Sequence, residues 1–388
     1  MIGTIRKLAG AGFVLPFIIF WSTLDRSLIL PLVTGIAEEY EVTVALAATA
    51  ITTHAFAYAG MQIVWGPLSA RWGRVRILAL TTALAAVANI ASALAPDITT
   101  FLVARTASGG AVAATFAAVL TYFGDSLPLA KRSSAMSNLA TATALGLAAG
   151  PVLSGAAATW LSWHWVFAIY GVGTALLVPV LARLPEPSSG RNDPVRAQFL
   201  RLVRNAWALG LCAITALEGF LLIGIYNLLP VALQQAGGEV WVSGLVTAAF
   251  GVSVVIVSQS MKLFMHILPP WGFLLSGGVF AVAGMGVLVI TVTPLSVLIG
   301  AILMGIAWAL AHTTLQIWMT DAASDSRALG MTLFSISLMM GGAIGAAVGA
   351  VAVDRSAFPA LFLIGVLGAV LFTVSSTWVR LRYRVREF

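Results

Sequence analysis

Residues 269–291 read PPWGFLLSGGVFAVAGMGVLVIT, a run of 23 positions without one acidic or basic side chain. As a helix rising 1.5 Å per residue it would be roughly 35 Å long, enough to cross the hydrocarbon core of a bilayer, about 30 Å thick. A membrane strand would alternate polar and apolar residues, and this run does not alternate. Lipid offers the backbone no hydrogen-bond partner, so the segment must satisfy its own amides. It reads as a transmembrane helix.

The rest of the chain repeats that pattern. Of 388 residues, 60% are hydrophobic and 9% charged, and the mean hydropathy is +0.99. A soluble core of this length cannot bury so much apolar surface. Apolar runs place six spans near 8–36, 43–68, 75–95, 99–123, 133–159 and 164–183. Six more follow near 206–232, 241–263, 269–291, 294–318, 328–352 and 357–379. Arg6 and Lys7 precede the first run, which is too long for a signal-peptide core and carries Asp25 and Arg26, so it is expected to stay as a helix. Residues 184–205, with Pro185, Pro187, Gly190 and Pro194, form a polar linker between two apolar halves, 1–183 and 206–388. The expected fold class is an all-α polytopic membrane protein, twelve helices in two six-helix halves.

Charge placement orients it. With the N-terminus cytoplasmic, eighteen of the twenty-one Lys and Arg fall on the cytoplasmic side, including Arg71, Arg74, Arg76, Lys131, Arg132, Arg191, Arg196, Lys262, Arg384 and Arg386. Arg355 lies outside, and Arg26 and Arg105 lie within spans. The expected location is a bacterial cytoplasmic (inner) membrane, multi-pass, with both termini cytoplasmic. The net charge of +7 then reads as attraction to an anionic leaflet, with no nucleic-acid partner. The single cysteine, Cys212, excludes a disulfide framework, and no metal-ligand cluster is present. No glycine precedes any lysine, so no G-x-x-x-x-G-K-[ST] nucleotide loop exists. The expected energy source is a proton gradient, with no cofactor, in a monomer.

Five segments carry a resemblance. The second span ends in Gly66-Pro67-Leu68-Ser69-Ala70-Arg71-Trp72-Gly73-Arg74-Val75-Arg76, and the fourth holds Arg105-x-x-x-Gly109. The fifth holds Gly146-x-x-x-Gly150-Pro151-x-x-Ser154-Gly155, and Ser162-Trp163-His164-Trp165-Val166-Phe167 opens the sixth. The first carries Leu24-Asp25-Arg26-Ser27 and Leu30-Pro31. Together they resemble the major facilitator superfamily, in particular its twelve-helix drug:proton antiporters, with G-x-L-x-D-R-x-G-R-[RK], R-x-x-x-G, the antiporter motif, W-R-W-V-F and L-D-x-T…L-P. The second half keeps a generic match, Gly341-x-x-x-Gly345-x-x-x-Gly349 in the eleventh span, and a degraded loop around Lys262. The resemblance implies alternating access, with helices one, four, seven and ten around the cavity. It also implies a fifth helix that seals the outer side, and a loop that clamps the inner side through an acidic residue, here Ala70.

The residues give their own reasons. Gly146 and Gly150, one turn apart, make a bare helix face, and Pro151 bends the helix, which suits an interface between the halves. Gly66 and Gly73 suit a tight turn, and Arg71 and Arg74 suit the carbonyl ends of neighbouring helices. Ionisable groups inside a membrane are costly, roughly 2.5–3.5 kcal/mol for a central Asp or Arg on insertion scales, so each needs a purpose. A buried carboxyl whose surroundings change can load and release a proton near neutral pH. Asp25 and Glu218 are therefore expected to carry proton coupling, with Arg105 responding to their state and Arg26 and His54 as secondary candidates. Asp25 has two candidate ion-pair partners, Arg26 and Arg105. Tyr226, Asn227, Trp308, His312 and Gln316 dot otherwise apolar walls, as expected for a lipophilic or amphiphilic substrate, cationic or neutral. The expected function is proton-coupled efflux of drugs or natural products. Export of a lipid or endogenous metabolite and proton symport of a small solute stay open, and a membrane-embedded lipid enzyme is the least supported reading.

Overall fold

The computed structural model describes residues 2–127, 129–187, 201–264 and 268–383, helical almost throughout. Among these residues twelve helices are long and apolar enough to cross a membrane. The first half holds α1 (Gly12–Glu39), α2 (Val44–Ser69), α3 (Arg74–Ala93), α4 (Ile98–Phe123), α5 (Ala135–Trp160) and α6 (Trp163–Ala182). The second holds α7 (Ala206–Gln235), α8 (Val240–Met261), α9 (Pro270–Ile290), α10 (Pro294–Ala322), α11 (Leu329–Asp354) and α12 (Phe358–Arg382). Most of the linker lies outside the described residues, as do Arg191, Arg196, Arg384 and Arg386 and the side chains of Arg6, Lys7, Lys131, Arg132 and Lys262.

Helix ends follow local chemistry. Thr43, Asp97, Ser162 and Asn205 cap α2, α4, α6 and α7 through their side chains, and Thr293 and Ser296 form a reciprocal capping box on α10. Hydrogen bonds from the Thr100 backbone and hydroxyl hold the Asp97 carboxyl below the usual carboxylate range. The span read as 8–36 continues to Glu39, because Pro31 sits at the start of a short 3₁₀ turn, Leu30–Leu32, where its missing amide costs nothing. Helix α7 is interrupted more deeply, by a π-helical turn at Phe220–Ile225 followed by a 3₁₀ turn at Tyr226–Leu228. Such turns leave a helix with freed carbonyls and redirected side chains.

Leu, Val and Ile side chains project from the outer surface, for example Val87, Ile290 and Leu367 at 66%, 83% and 64% exposure. Two groups of exposed tryptophans flank that belt. Trp72, Trp207, Trp271 and Trp378 lie toward the end that carries Arg71 and Arg74, and Trp160, Trp165 and Trp241 lie toward the far end. Indoles at both rims are what an interface between lipid and water selects.

Glycine sets the closest approaches. On α5, a Cβ at Gly146 would lie 2.7 Å from the Phe20 carbonyl oxygen, and one at Gly150 would lie 2.8 Å from Ser27 Cβ. The equivalent contact in the second half packs α11 on α7, where a Cβ at Gly224 would lie 2.6 Å from Gly345 Cα. Gly341 and Gly345 press on the Ala216 and Phe220 carbonyls. The two halves meet along α5 with α8 and along α2 with α11. Gln62 donates to Ser335 at 2.8 Å, and Gln259 donates to Thr141 at 3.3 Å. At the far end, Gln234 of α7 binds Thr34 and donates to the Pro31 carbonyl of α1 at 3.0 Å.

Two expectations about glycine change here. Helix α5 does lie between the halves, but Gly146 and Gly150 face α1 of their own half. The face toward α8 is built from Ala144, Ala148, Pro151 and Gly155 against Gly244 and Gly251. Gly66 sits inside a continuous helix, Val44–Trp72, with nothing within 4 Å of its missing Cβ. Gly73, at φ +107°, makes the turn alone, in a region that other residues rarely adopt.

Candidate transport site between the two halves

Two buried networks and one cleft account for the ionisable groups in the spans. The first network is centred on Asp25 of α1, which is fully buried. Its Oδ1 accepts from Arg105 Nη1 at 3.1 Å, its own carbonyl accepts from Arg105 Nη2 at 3.0 Å, and its Oδ2 accepts from Ser108 Oγ. His54 Nε2 lies 3.2 Å from that same Oδ2. Asn89 of α3 completes the set, accepting from Arg105 Nη1 at 2.8 Å and donating to Ser108 Oγ at 2.9 Å. The Arg105 guanidinium also lies over the Phe167 ring, 4.9 Å from its centroid. Gly109 makes the network reachable. A Cβ there would fall 2.8 Å from His54 Cα, so its absence lets α4 close on α2 and brings Arg105, Ser108 and His54 to one carboxylate.

Arg26 makes no hydrogen bond within this network. Neighbouring residues on a helix point about 100° apart, so Asp25 faces α4 while Arg26 faces the second half. Among the described residues no carboxylate lies within 4.0 Å of Arg26, and its one hydrogen-bond contact is the Met339 thioether sulfur at 3.8 Å.

The second network is centred on Glu218 of α7, also fully buried. Its Oε2 lies 3.2 Å from His312 Nδ1, while its Oε1 has no partner. His312 Nε2 sits 3.0 Å from Gln316 Nε2, and the imidazole stacks on Trp308 with centroids 4.2 Å apart. Glu218 thus has no basic neighbour on its own helix but a titratable one on α10.

Between the networks a small cleft is lined by Arg26, Ser27 and Leu147 from the first half and Leu222, Ile223, Tyr226, Asn227, Phe250 and Trp308 from the second. Tyr226, Asn227 and Trp308 therefore face the cleft. His312 and Gln316 do not line it and belong to the Glu218 network.

At the basic end, Arg74 meets no helix carbonyl among the described residues. Its Nη2 pairs with Asp125 Oδ2 at 3.3 Å, and Arg71 is exposed. The carboxylate absent at position 70 has a counterpart in Glu186, just beyond α6. It accepts from the backbone amides of Arg74 and Val75, the latter at 3.0 Å, at the start of α3. An anion at an exposed helix N-terminus contributes about 0.3–1 kcal/mol. Glu186→Ala should lower the thermal stability of the purified protein by that small amount, and a loss of several kcal/mol or none would contradict the capping role.

Asn89, Ser108, Phe250 and Glu186 were not singled out in the sequence. Asn89 was findable, as the one amide in the third apolar run, whereas serine and phenylalanine are too common in membrane helices to stand out.

The comparisons agree with this architecture. The chain is 29% identical over 172 residues to an uncharacterised MFS-type transporter, YybF, of Bacillus subtilis (strain 168), covering 44% of this chain and 42% of that protein. It is 32% identical over 183 residues to the 3-(3-hydroxy-phenyl)propionate transporter of Escherichia coli (strain K12), 45% and 44% of the two chains. It is 26% identical over 151 residues to the efflux pump dotC of Dothistroma septosporum, 39% and 26%. In each case the match spans less than half of the relative's length. The solved structure of a mutant of the nucleoside transporter NupG superposes with a TM-score of 0.77 at 12% identity, over 95% of this chain and 99% of that one, a likeness of fold. The sequence profile of the Major Facilitator Superfamily matches residues 15–327, and with twelve spans in two packed halves around a central cleft, the chain is a multi-pass membrane protein that belongs to that superfamily.

Proposed function

We propose that this chain is a proton-coupled secondary transporter that exports lipophilic or amphiphilic small molecules by antiport, as a monomer in a bacterial cytoplasmic membrane with both termini cytoplasmic. The observation that carries this reading is the buried Asp25–Arg105 pair, 3.1 Å apart and held by His54, Ser108 and Asn89, one residue along α1 from a side chain that lines the cleft. Removing one partner of a buried ion pair is costly, about 3–5 kcal/mol, so the protonation state of Asp25 sets how tightly α1 is tied to α4. With Asp25 ionised, Arg105 is held and α1 is drawn against α4. With Asp25 protonated, Arg105 keeps only its neutral acceptors, Asn89 and the Asp25 carbonyl, and α1 is freer to move with the cleft wall. Proton and substrate thereby bias one element in opposite directions, which yields exchange. Glu218 and His312 form a second buried acid–imidazole pair, within the other half.

The named relatives include an efflux pump and a transporter of an aromatic acid, so direction is the quantity to measure. Purified protein in vesicles with a trapped pH dye should release protons on addition of substrate, in the direction opposite to substrate movement. Co-directional flux would replace antiport with symport. Substrate movement that survives collapse of the gradient would remove proton coupling.

A further inference from the structure

The cleft holds a permanent cation that nothing among the described residues neutralises. The Arg26 guanidinium stays charged at all accessible pH and is half-buried. Asp25, its chain neighbour, is saturated by Arg105, Ser108 and His54. Among the described residues no aromatic ring lies in cation–π range of Arg26, whereas Arg105 and Arg382 each have one and Arg380 has two. Its contact with the Met339 sulfur is a weak one.

Opposite Arg26 stands an aromatic wall. Tyr226 stacks on Phe250 at 4.2 Å, and Phe250 meets the edge of Trp308 at 6.1 Å. The Tyr226 hydroxyl donates to the Thr247 carbonyl, and Asn227 is the one amide on that otherwise ring-lined wall. Among the described residues no carboxylate lines the cleft, and Glu218 is paired with His312.

We propose that Arg26 reads the charge of the substrate, and that the cleft takes an amphiphilic organic anion, its carboxylate on the guanidinium and its apolar body against Phe250 and Trp308. The proposal deepens the transporter reading above and rests on it. A guanidinium presents its N–H groups as a fork that matches a carboxylate bidentately, which an ammonium cannot do. A cationic substrate would meet Arg26 at close range with no acid to offset it. An anionic substrate differs from the cationic or neutral one that the sequence predicts.

The test is equilibrium binding to the full-length protein in nanodiscs by calorimetry, with three molecules of one shape: 4-phenylbutyrate, 4-phenylbutan-1-ol and 4-phenylbutylamine. The carboxylate should bind at least about tenfold more tightly than the alcohol, as expected for a charge-assisted bidentate contact, and the amine should bind most weakly. Arg26→Met should bring carboxylate and alcohol to within about twofold of each other while sparing the alcohol, and Arg26→Lys should keep part of the preference. Equal binding of the three, preference for the amine, binding of none, or an undiminished carboxylate preference in Arg26→Met would each overturn the proposal. Should Arg26→Met fail to fold, the wild-type series and Arg26→Lys decide it alone. No gradient is involved, so a failure of antiport in vesicles leaves this result standing, and a failure here leaves proton coupling untouched.

Discussion

Asp25→Asn is expected to abolish proton-driven uphill transport while the protein still reaches the membrane. Asparagine keeps the shape of the carboxylate and one acceptor for Arg105 Nη1, but it neither ionises nor takes up a proton. Arg105, fully buried, would be left with the Asn89 side chain, the carbonyl at position 25 and the asparagine oxygen. Arg105→Ala should be at least as damaging, because it leaves Asp25 buried without its charge partner at a cost of about 3–5 kcal/mol. Combining Asp25→Asn with Arg105→Gln removes both charges and should recover stability without recovering coupling, which separates a proton role from a packing role. The measurement is substrate efflux across a range of pH together with thermal stability for the three variants. Full uphill transport in Asp25→Asn with unchanged pH dependence would make Asp25 structural and pass the proton to Glu218.

Gly150→Leu is expected to cut transport at least about tenfold, the equivalent of about 1.4 kcal/mol on the rate-limiting barrier, with expression near normal. The β-carbon alone would lie 2.8 Å from Ser27 Cβ and 3.2 Å from the Ser27 carbonyl carbon, so α1 must move away before the rest of the leucine is accommodated. Ser27 follows Asp25 and Arg26, and its hydroxyl donates to the Gly146 carbonyl at 3.1 Å, so the displaced segment is the one that carries both charged groups. Overpacking of this kind costs about 1–3 kcal/mol in a close-packed interior. Gly66→Ala is the control: its added carbon meets nothing within 4 Å, and transport should be unchanged. Equal transport by Gly150→Leu and wild type would show that the α1–α5 contact is incidental to the cycle.

Much of this protein is legible in one dimension because lipid enforces local rules. A backbone that must bond to itself becomes a helix wherever about 20 apolar residues run together, so residues 269–291 declared α9 without reference to any other part of the chain. A charge in such a run is expensive, so Asp25, Arg26, Arg105 and Glu218 stood out against their surroundings before any contact was known. The glycines of the G-x-x-x-G pattern at Gly146 and Gly150 likewise announced close approach, though not to what.

Tertiary structure decided the pairing. Asp25 had two arginines to choose from, and the azimuth of α1 against α4 gave it Arg105 and turned Arg26 toward the cleft. Glu218 found His312, 94 residues away, because α7 and α10 flank one cleft. Glu186, 112 residues beyond Arg74, placed a carboxylate beside the loop where position 70 has none. Gly146 and Gly150 turned to α1, leaving the contact between halves to Pro151 and its neighbours. The common reason is that hydropathy is a property of each residue, whereas a partner is a property of helix rotation and register. Both are set by side chains packing between helices far apart in the chain, and no local pattern records them.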